Sequence, residues 1–555
     1  MIPFKMFVSV CVAGALLVGG QIASAAEPAK SPPSAIPTFH CLGIYWSPQG
    51  GQAEKKVLMK FRRAGEQAWH EALPMRYNPV DTPECKADYR GSIVNLTPGA
   101  SYEVDLTLEG TSEHTSLKAG TWSETFPIAS TVKCQSAATT LKVNKSGTAS
   151  GYVLYDGTGC TIDTANKQDL GISVDANYVI LRGFTIKNVK SHGIRINAGH
   201  HVVIENCDVS KWGSEDGDTG FGIEQQACVF SKDKNLHAVV IQRCKFHNPN
   251  WGSNSWAVDH FKTKKSRHPD GPQTIVFFEP QGNNVIRYNE CWSDKDHYYN
   301  DVIGGAFNGS YRGFPGADSD IYCNYFANCW DDGIESEGGN QNVRIWNNYI
   351  ENTMMMIANA ATSIGPFYVW RNVTGRSYTP PGSSYDLTHG YFMKMGYADG
   401  DKWMTGHMYV FNNTIFQPND DGADGLGGDS KPIKHCVTRN NIFQSRPKDT
   451  RSISTDTKRS DDNDYDYDLL SAKYPKDTEK HGVKGIPQYV PNAGFNFDTK
   501  TVNVEQAPGS PGIDKGEVIP NFADSFTGAA PDMGAEETGA APLVVGVKAN
   551  FSPQK

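Results

Sequence analysis

From about residue 175 one short apolar pattern returns along the chain. A β-branched residue is followed three positions later by Asn, Cys or Gly in Ile180–Gly183, Ile204–Cys207, Ile241–Cys244, Ile286–Asn289 and Ile321–Asn324. Ile345–Asn348, Val369–Asn372, Val410–Asn413 and Val437–Asn440 continue the series. The copies stand 24 to 45 residues apart, and the interval of 24 occurs three times. That interval suits one coil of three short strands, and the longer ones the same coil with inserted loops. A single coil cannot bury its apolar side, whereas stacked coils bury a continuous core and pair every strand. The pattern therefore predicts an all-β parallel solenoid. Stacking at about 4.8 Å would let the recurring Asn side chains hydrogen-bond from coil to coil as a ladder, with Cys207 and Cys244 as small buried substitutes in the same slot.

Before the solenoid the pattern changes. Residues 38–133 read as about seven alternating strands, among them Gly43–Ser47, Val57–Arg62 and a strand entered through Leu96-Thr-Pro and Tyr102. They predict a small β-sandwich, and an uncapped solenoid edge needs cover, so a spacer or cap over the first coil is its expected role, with a carbohydrate-binding accessory domain as the alternative. Residues 26–37 are rich in Pro, Ala and Ser and read as a linker. Residues 1–25 combine Lys5, an apolar stretch from Phe7 to Gly19 and Ala23-Ser24-Ala25, which reads as a cleaved signal peptide. The mature protein is expected to be secreted or periplasmic. Residues 134–540 are assigned to the solenoid and 541–555 to a C-terminal tail.

Composition agrees with many turns: 55 of 555 residues are glycine, and Asn often comes in pairs. A net charge of −9 argues against nucleic acid as partner. No segment beyond the leader is long and apolar enough for a membrane span, and a monomer is expected. Export permits disulfides, and Cys41 with Cys85 is a possible bridge within the sandwich. Without a Cys-x-x-Cys pair, no zinc site is expected.

The Asn-laddered coil resembles the right-handed parallel β-helix of the pectate-lyase-like superfamily over roughly residues 134–540. Ser510–Gly516 followed by Pro531–Glu536 is similar to the closing segment of many secreted β-helix proteins. The Leu-x-Pro turn entering a strand through Tyr102, with the early Trp46, resembles the tyrosine corner of fibronectin type III domains.

The densest acidic stretch is Trp330–Asn340, with Asp331, Asp332, Glu335 and Glu337. With Ile334 pointing inward, alternation places Glu335 and Glu337 outward and exposed. Four neighbouring carboxylates must either raise their pKa values, making a general acid, or hold a cation such as Ca²⁺. No other cofactor is called for. Turn chemistry or a solvated face is the plain structural alternative. One coil earlier lies Asn300-Asp301, and this spacing is similar to that of the polygalacturonases, whose Asn-x-Asp element precedes an Asp-Asp element. The resemblance implies acid and base roles for Asp301 and Asp331/Asp332. It is partial, because the Asn-x-Asp spacing, the Gly-His-Gly and the Arg-Ile-Lys elements of that family are missing. His297 and Tyr298 flank Asp301, Arg312 lies in an inserted loop, Arg371 on a ladder strand and Lys394 on a later coil. His260–His268 is locally basic.

Three functions compete. The leading one is a glycoside hydrolase acting on a polysaccharide through paired carboxylates. The second is a polysaccharide lyase, with Lys394 or Arg371 as base and the acidic cluster holding Ca²⁺. The third is a non-catalytic carbohydrate-binding or adhesion solenoid.

Overall fold

The computed structural model describes residues 31–82, 85–258, 267–305, 307–359, 364–378, 390–396, 406–416, 424–427, 433–445, 451–454 and 462–553. The leader, residues 259–266 of the basic segment and His389 lie outside these.

The middle of the chain winds into three parallel sheets of twelve, twelve and ten strands. One coil runs through Val179–Arg182, Thr185–Val189 and His192–Ala198, one strand in each sheet. Each strand pairs in register with its successor, as Val179–Arg182 does with Val202–Glu205. Inward residues of successive coils, Leu181, Ile204, Ile241, Ile286, Ile321, Ile345, Val369 and Val410, stack in one core. Apolar burial of this kind contributes roughly 25 cal/mol per Å², and no coil obtains it alone.

The ladder stands at the corner between the first and second sheets. Asn289 Nδ2 donates to Asn324 Oδ1 at 3.0 Å, and the relay passes through Asn348, Asn372, Asn413 and Asn441 to Asp468 at 2.8–3.1 Å. Below it, the Cys244 N–H donates to Asn289 Oδ1 at 3.0 Å. The repeat is misread by one residue at each end. Leu181 pairs with Ile204, and Thr438 with Val410, so the ladder position falls on Phe184 and Asn441, not Gly183 and Asn440. The cause is a second strand-forming residue beside the first: Ile180 packs on the outer face while Leu181 takes the core. Asn348→Ala should cost about 1–3 kcal/mol, because it leaves the buried amides of Asn324 and Asn372 with unmet bonds. A urea titration checks this, with a lower midpoint and unchanged slope expected.

The N-terminal module comprises β1 (Ser31–Pro37), β2 (Leu42–Ser47), β3 (Val57–Arg63), β4 (His70–Asn78), β5 (Asp88–Ile93), β6 (Ser101–Leu108) and β7 (His114–Gly120). They are antiparallel in the order β1-β2-β5-β4-β3-β6-β7. The strand β4 serves both layers, pairing with β3 through His70–Ala72 and with β5 through Arg76–Asn78. The ribbon thus closes over Trp46, Tyr89, Val104 and Leu106 as a small sandwich. The Thr97 N–H donates to the Tyr102 hydroxyl at 2.8 Å.

Several boundaries shift. The stretch read as linker contains β1, and Ile128–Lys133 already pairs in parallel with Tyr152–Asp156 as the first solenoid strand. The sandwich packs against the flank of the solenoid, on the outer face of the first sheet. There Tyr322, Trp346 and Trp370 stack at 4.1 and 5.3 Å between centroids. Such a strip needs cover, and the sandwich supplies it. Arg344, fully buried, donates to Asp320 Oδ1 at 2.5 Å, and Asp320 also bonds the Thr38 hydroxyl. The residues assigned to a tail return to the same seam: Leu543–Val544 pairs with Thr501–Asn503. Phe551 stands edge-on to His40 and Trp346 at 4.9 and 4.6 Å. The eleven described cysteines are all free. Cys41 faces Asp320, and Cys85 accepts from Arg90 at 3.1 Å, so no bridge joins them. Among the described residues, no helix is long and apolar enough to cross a membrane.

Candidate functional site

The site lies on the outer face of the third sheet. Registers there run Ile275, Ile303, Ile334, Ile357, Met393 and Leu426, all facing the core. Two residues before each stands an outer position, and this column reads Gln273, Asp301, Asp332, Met355, Tyr391, Asp424. One residue after each stands a second outer column: Val276, Gly304, Glu335, Ala358, Lys394, Gly427. Asp332 points outward although it shares parity with Ile334, because the chain turns a corner at Gly333, whose Cβ position faces Ile350 in the core.

Stacking brings Asp301 and Asp332 together. Asp301 Oδ1 accepts the Asp332 N–H at 2.9 Å, and Asp301 Oδ2 accepts from Gln273 Nε2 at 2.5 Å. Carboxylate oxygens of Asp301, Asp331 and Asp332 lie within 4.8 Å of one another, all three residues buried. His268 Nε2 is 3.4 Å from Asp331 Oδ2. Trp256 donates to the Trp330 carbonyl at 2.7 Å and packs against Met355, closing one side.

Lys394 completes the group. It sits two coils above Glu335, and the intervening position is Ala358, small enough to let the side chain pass. Its Nζ lies 2.9 Å from Asp332 Oδ2 and 3.2 Å from Glu337 Oε1. Gly304 makes room below: a Cβ there would stand 2.6 Å from Glu335 Oε2.

The electrostatics follow from burial. Asp301 is pushed well above the usual carboxylate range by burial, then by the charges of Glu335, Asp331 and Asp332. Asp332 is also raised well above that range, by burial and by its acidic neighbours, against the pull of Lys394. Glu335 is pushed up to about 8 by burial and then by Glu337. Burial works against the Lys394 charge, but Asp332 and Glu337 outweigh it and hold the ammonium well above its ordinary value. The site carries more negative charge than its one lysine neutralises.

The structure places the other expected residues variously. Glu335 and Glu337 were expected on an exposed face; Glu335 is half-buried and Glu337 is 3% exposed, covered by the inserted segment around Gly313. Arg312, in that segment, donates to the Lys234 carbonyl at 2.7 Å and lines a small crevice with Glu335 and Glu337. Tyr298 packs on Trp330 at 4.7 Å, beside the cluster. His297 is turned to Asp294 at 2.6 Å. Arg371 is not brought to the site. It sits at the ladder corner, where it donates to the Ala535 carbonyl at 3.1 Å and faces Glu537. Gln273 and Ala358 were not singled out in the sequence, and His268 was read only as the end of a locally basic segment. Aligning the third strand of each coil on its core isoleucine finds Gln273 and Ala358; His268 and Trp256 come from an insertion and leave no such signal.

A family model described as "Right handed beta helix region" matches residues 170–368. The solenoid is a right-handed parallel β-helix. Solved structures that match include the crystal structure of pectate lyase Pel9A, at 14% identity and a TM-score of 0.36, covering 74% of this chain and 87% of that one. No curated protein matches the chain in sequence.

Proposed function

We propose that the protein is an exported polysaccharide lyase that cleaves a uronate-containing glycan by β-elimination, with Lys394 as the base. The observation that carries this reading is the placement of Lys394 Nζ, 2.9 Å from Asp332 and directly above a buried three-aspartate cluster. A hydrolase needs two carboxylates on either side of the glycosidic bond, separated by about 5 Å or by about 6.5–9.5 Å. Here Asp301 and Asp332 stand side by side on one wall, joined through the Asp332 N–H. That favours the lyase over the hydrolase suggested by the Asp-Asp motif.

The donor set fits a hard divalent cation such as Ca²⁺. It is all oxygen, it is buried, and Asp332 Oδ1 is buried without a hydrogen-bond partner. Asp301, Asp331, Asp332 and Glu335 would hold the ion; Lys394 engages both Asp332 and Glu337, but Asp332 keeps its Oδ1 unpartnered and stays in the set, whereas Glu337 is left out. When bound, the cation supplies positive charge to a uronate carboxylate and so stabilises the charge that develops beside it. Lys394 keeps its proton through Asp332 and Glu337; with Asp332 drawn to the cation that hold would weaken, and the amine form then takes the proton on the carbon next to that carboxylate. The C–H electron pair becomes the C4=C5 double bond, the C4–O bond breaks, and the leaving oxygen is protonated by solvent. Arg312, in the crevice with Glu335 and Glu337, and the packed Tyr298 and Trp330 beside the cluster would orient the sugar.

Incubation with uronate and neutral polysaccharides, with and without chelator, tests the reading. Ultraviolet absorbance from unsaturated ends, lost with chelator, is expected. New reducing ends without that absorbance would refute it.

A further inference from the structure

A second concavity lies between the sandwich and the β-helix. It has a volume of about 480 Å³, within the range of about 300–1,000 Å³ that small-ligand sites occupy. The sandwich contributes Ile36 and Tyr45; the β-helix contributes Tyr311, Arg312, the amides Gln281, Asn283 and Gln341, His237, and Asp318, whose carboxylate is engaged by the Tyr45 hydroxyl.

We propose that this junction is a remote subsite for a uronate-containing oligosaccharide, built jointly by the sandwich and the β-helix and continuous with the site around Lys394. The inference rests on the lyase reading for the identity of the sugar, and on independent geometry for the site itself. Arg312 lines both this cavity and the crevice that holds Glu335 and Glu337, so one side chain marks the path between them. Tyr45 is only half-buried, and its position is fixed: its hydroxyl donates to Asp318 Oδ2 at 2.7 Å across the domain boundary. Asn283 Nδ2 donates to the Pro37 carbonyl at 2.9 Å, tying the opposite wall to β1. The walls are therefore set before a ligand arrives, which reduces the ordering cost of binding.

The lining chemistry suits a sugar. Two tyrosine rings offer faces for the C–H surface of a pyranose. Three planar amides offer donors and acceptors to hydroxyl pairs, and a guanidinium suits a carboxylate. Among the described residues, Arg312 makes no ion pair and donates to a carbonyl instead. The sandwich, on this view, extends the binding face of the enzyme in addition to covering the aromatic strip.

The test is calorimetric titration of the Lys394→Arg protein, which does not consume substrate, with hexamers of galacturonate and of alginate, and with cellohexaose as the neutral control. Gln281→Trp fills the cavity from an exposed position, and Arg312→Ala removes its cation; both are compared in that background. Each should weaken binding of at least one uronate hexamer about tenfold, or about 1.4 kcal/mol, with an unchanged thermal midpoint. Binding equal to the parent in both variants overturns the inference, as does failure of the parent to bind any hexamer. The two readings fail separately. Loss of binding in Gln281→Trp without unsaturated product from the wild type sinks the lyase and keeps the subsite. Unsaturated product with no effect of either substitution does the reverse.

Discussion

Lys394→Arg is expected to give a folded protein that no longer releases unsaturated product. Arginine keeps a positive charge beside Asp332 and Glu337, so neither carboxylate is stranded. Its guanidinium does not give up a proton below about pH 12 and cannot act as a base. Loss of general-base catalysis typically costs about 10²–10⁴ in rate. The fall should appear in kcat, with KM little changed, because the charge that greets the substrate is retained. Lys394→Ala is the less informative change. It leaves two buried acids without their partner, a loss of about 3–5 kcal/mol when a buried pair is broken, so inactivity there would not separate chemistry from folding. Activity within tenfold of the wild type in Lys394→Arg removes the lysine from the mechanism.

Calcium should stabilise the protein strongly, and more at pH 8 than at pH 5. Asp301 and Asp332 are held well above the ordinary carboxylate range, and Glu335 is raised to about 8. The chelated folded state therefore keeps protons that the unfolded chain has released. Where the folded state binds more protons, stability falls as pH rises. The loss begins near pH 4, where unfolded carboxylates ionise, and continues through about pH 8, where Glu335 follows. A cation bound to the ionised oxygens removes this penalty, and mass action adds about 2.7 kcal/mol at a hundredfold excess over Kd. Thermal unfolding in chelator should show a midpoint declining from pH 5 to pH 8, and added Ca²⁺ should flatten that decline. A calcium-independent midpoint across this range would count against a cation site at Asp301, Asp331, Asp332 and Glu335.

The β-helix was legible because its signal is repetitive. Ile286, Ile321, Ile345 and Val369 recur in phase with Asn289, Asn324, Asn348 and Asn372, and a core shared by many coils forces that phase. The register was lost where two strand-forming residues adjoin, at Ile180-Leu181 and Val437-Thr438, since either can face inward and only the neighbouring coil decides. The acids at 301 and 331–337 were visible as a cluster, but their exposure was misjudged. Alternation does not account for the corner at Gly333 or for an inserted segment folding over Glu337. The link from Lys394 to Asp332 spans 62 residues and depends on a small side chain at Ala358, which looks like nothing in a linear reading. Arg371 had the right chemistry on the wrong side of the coil, a distinction that needs the three sheets to be told apart. The docking of the sandwich could not be read from local pattern at all, because Tyr322, Trp346 and Trp370 become a strip only when coils stack.

The seam between sandwich and β-helix also dictates an order of events. The Val94 N–H is held by Asn521 Oδ1 at 2.7 Å, across 427 residues of chain, and His40 by Phe551. Such distant pairs cannot form until the intervening coils have wound, and contacts of that separation are slow to close. A nascent chain therefore carries its sandwich folded but unseated, with a ribbon of stacked indoles and phenols bare along the growing β-helix. That interval is when the protein is most exposed to sticking to its own copies; it closes as the sandwich seats on Asp318, Asp320 and Tyr368 and as residues 519–551 latch across the seam.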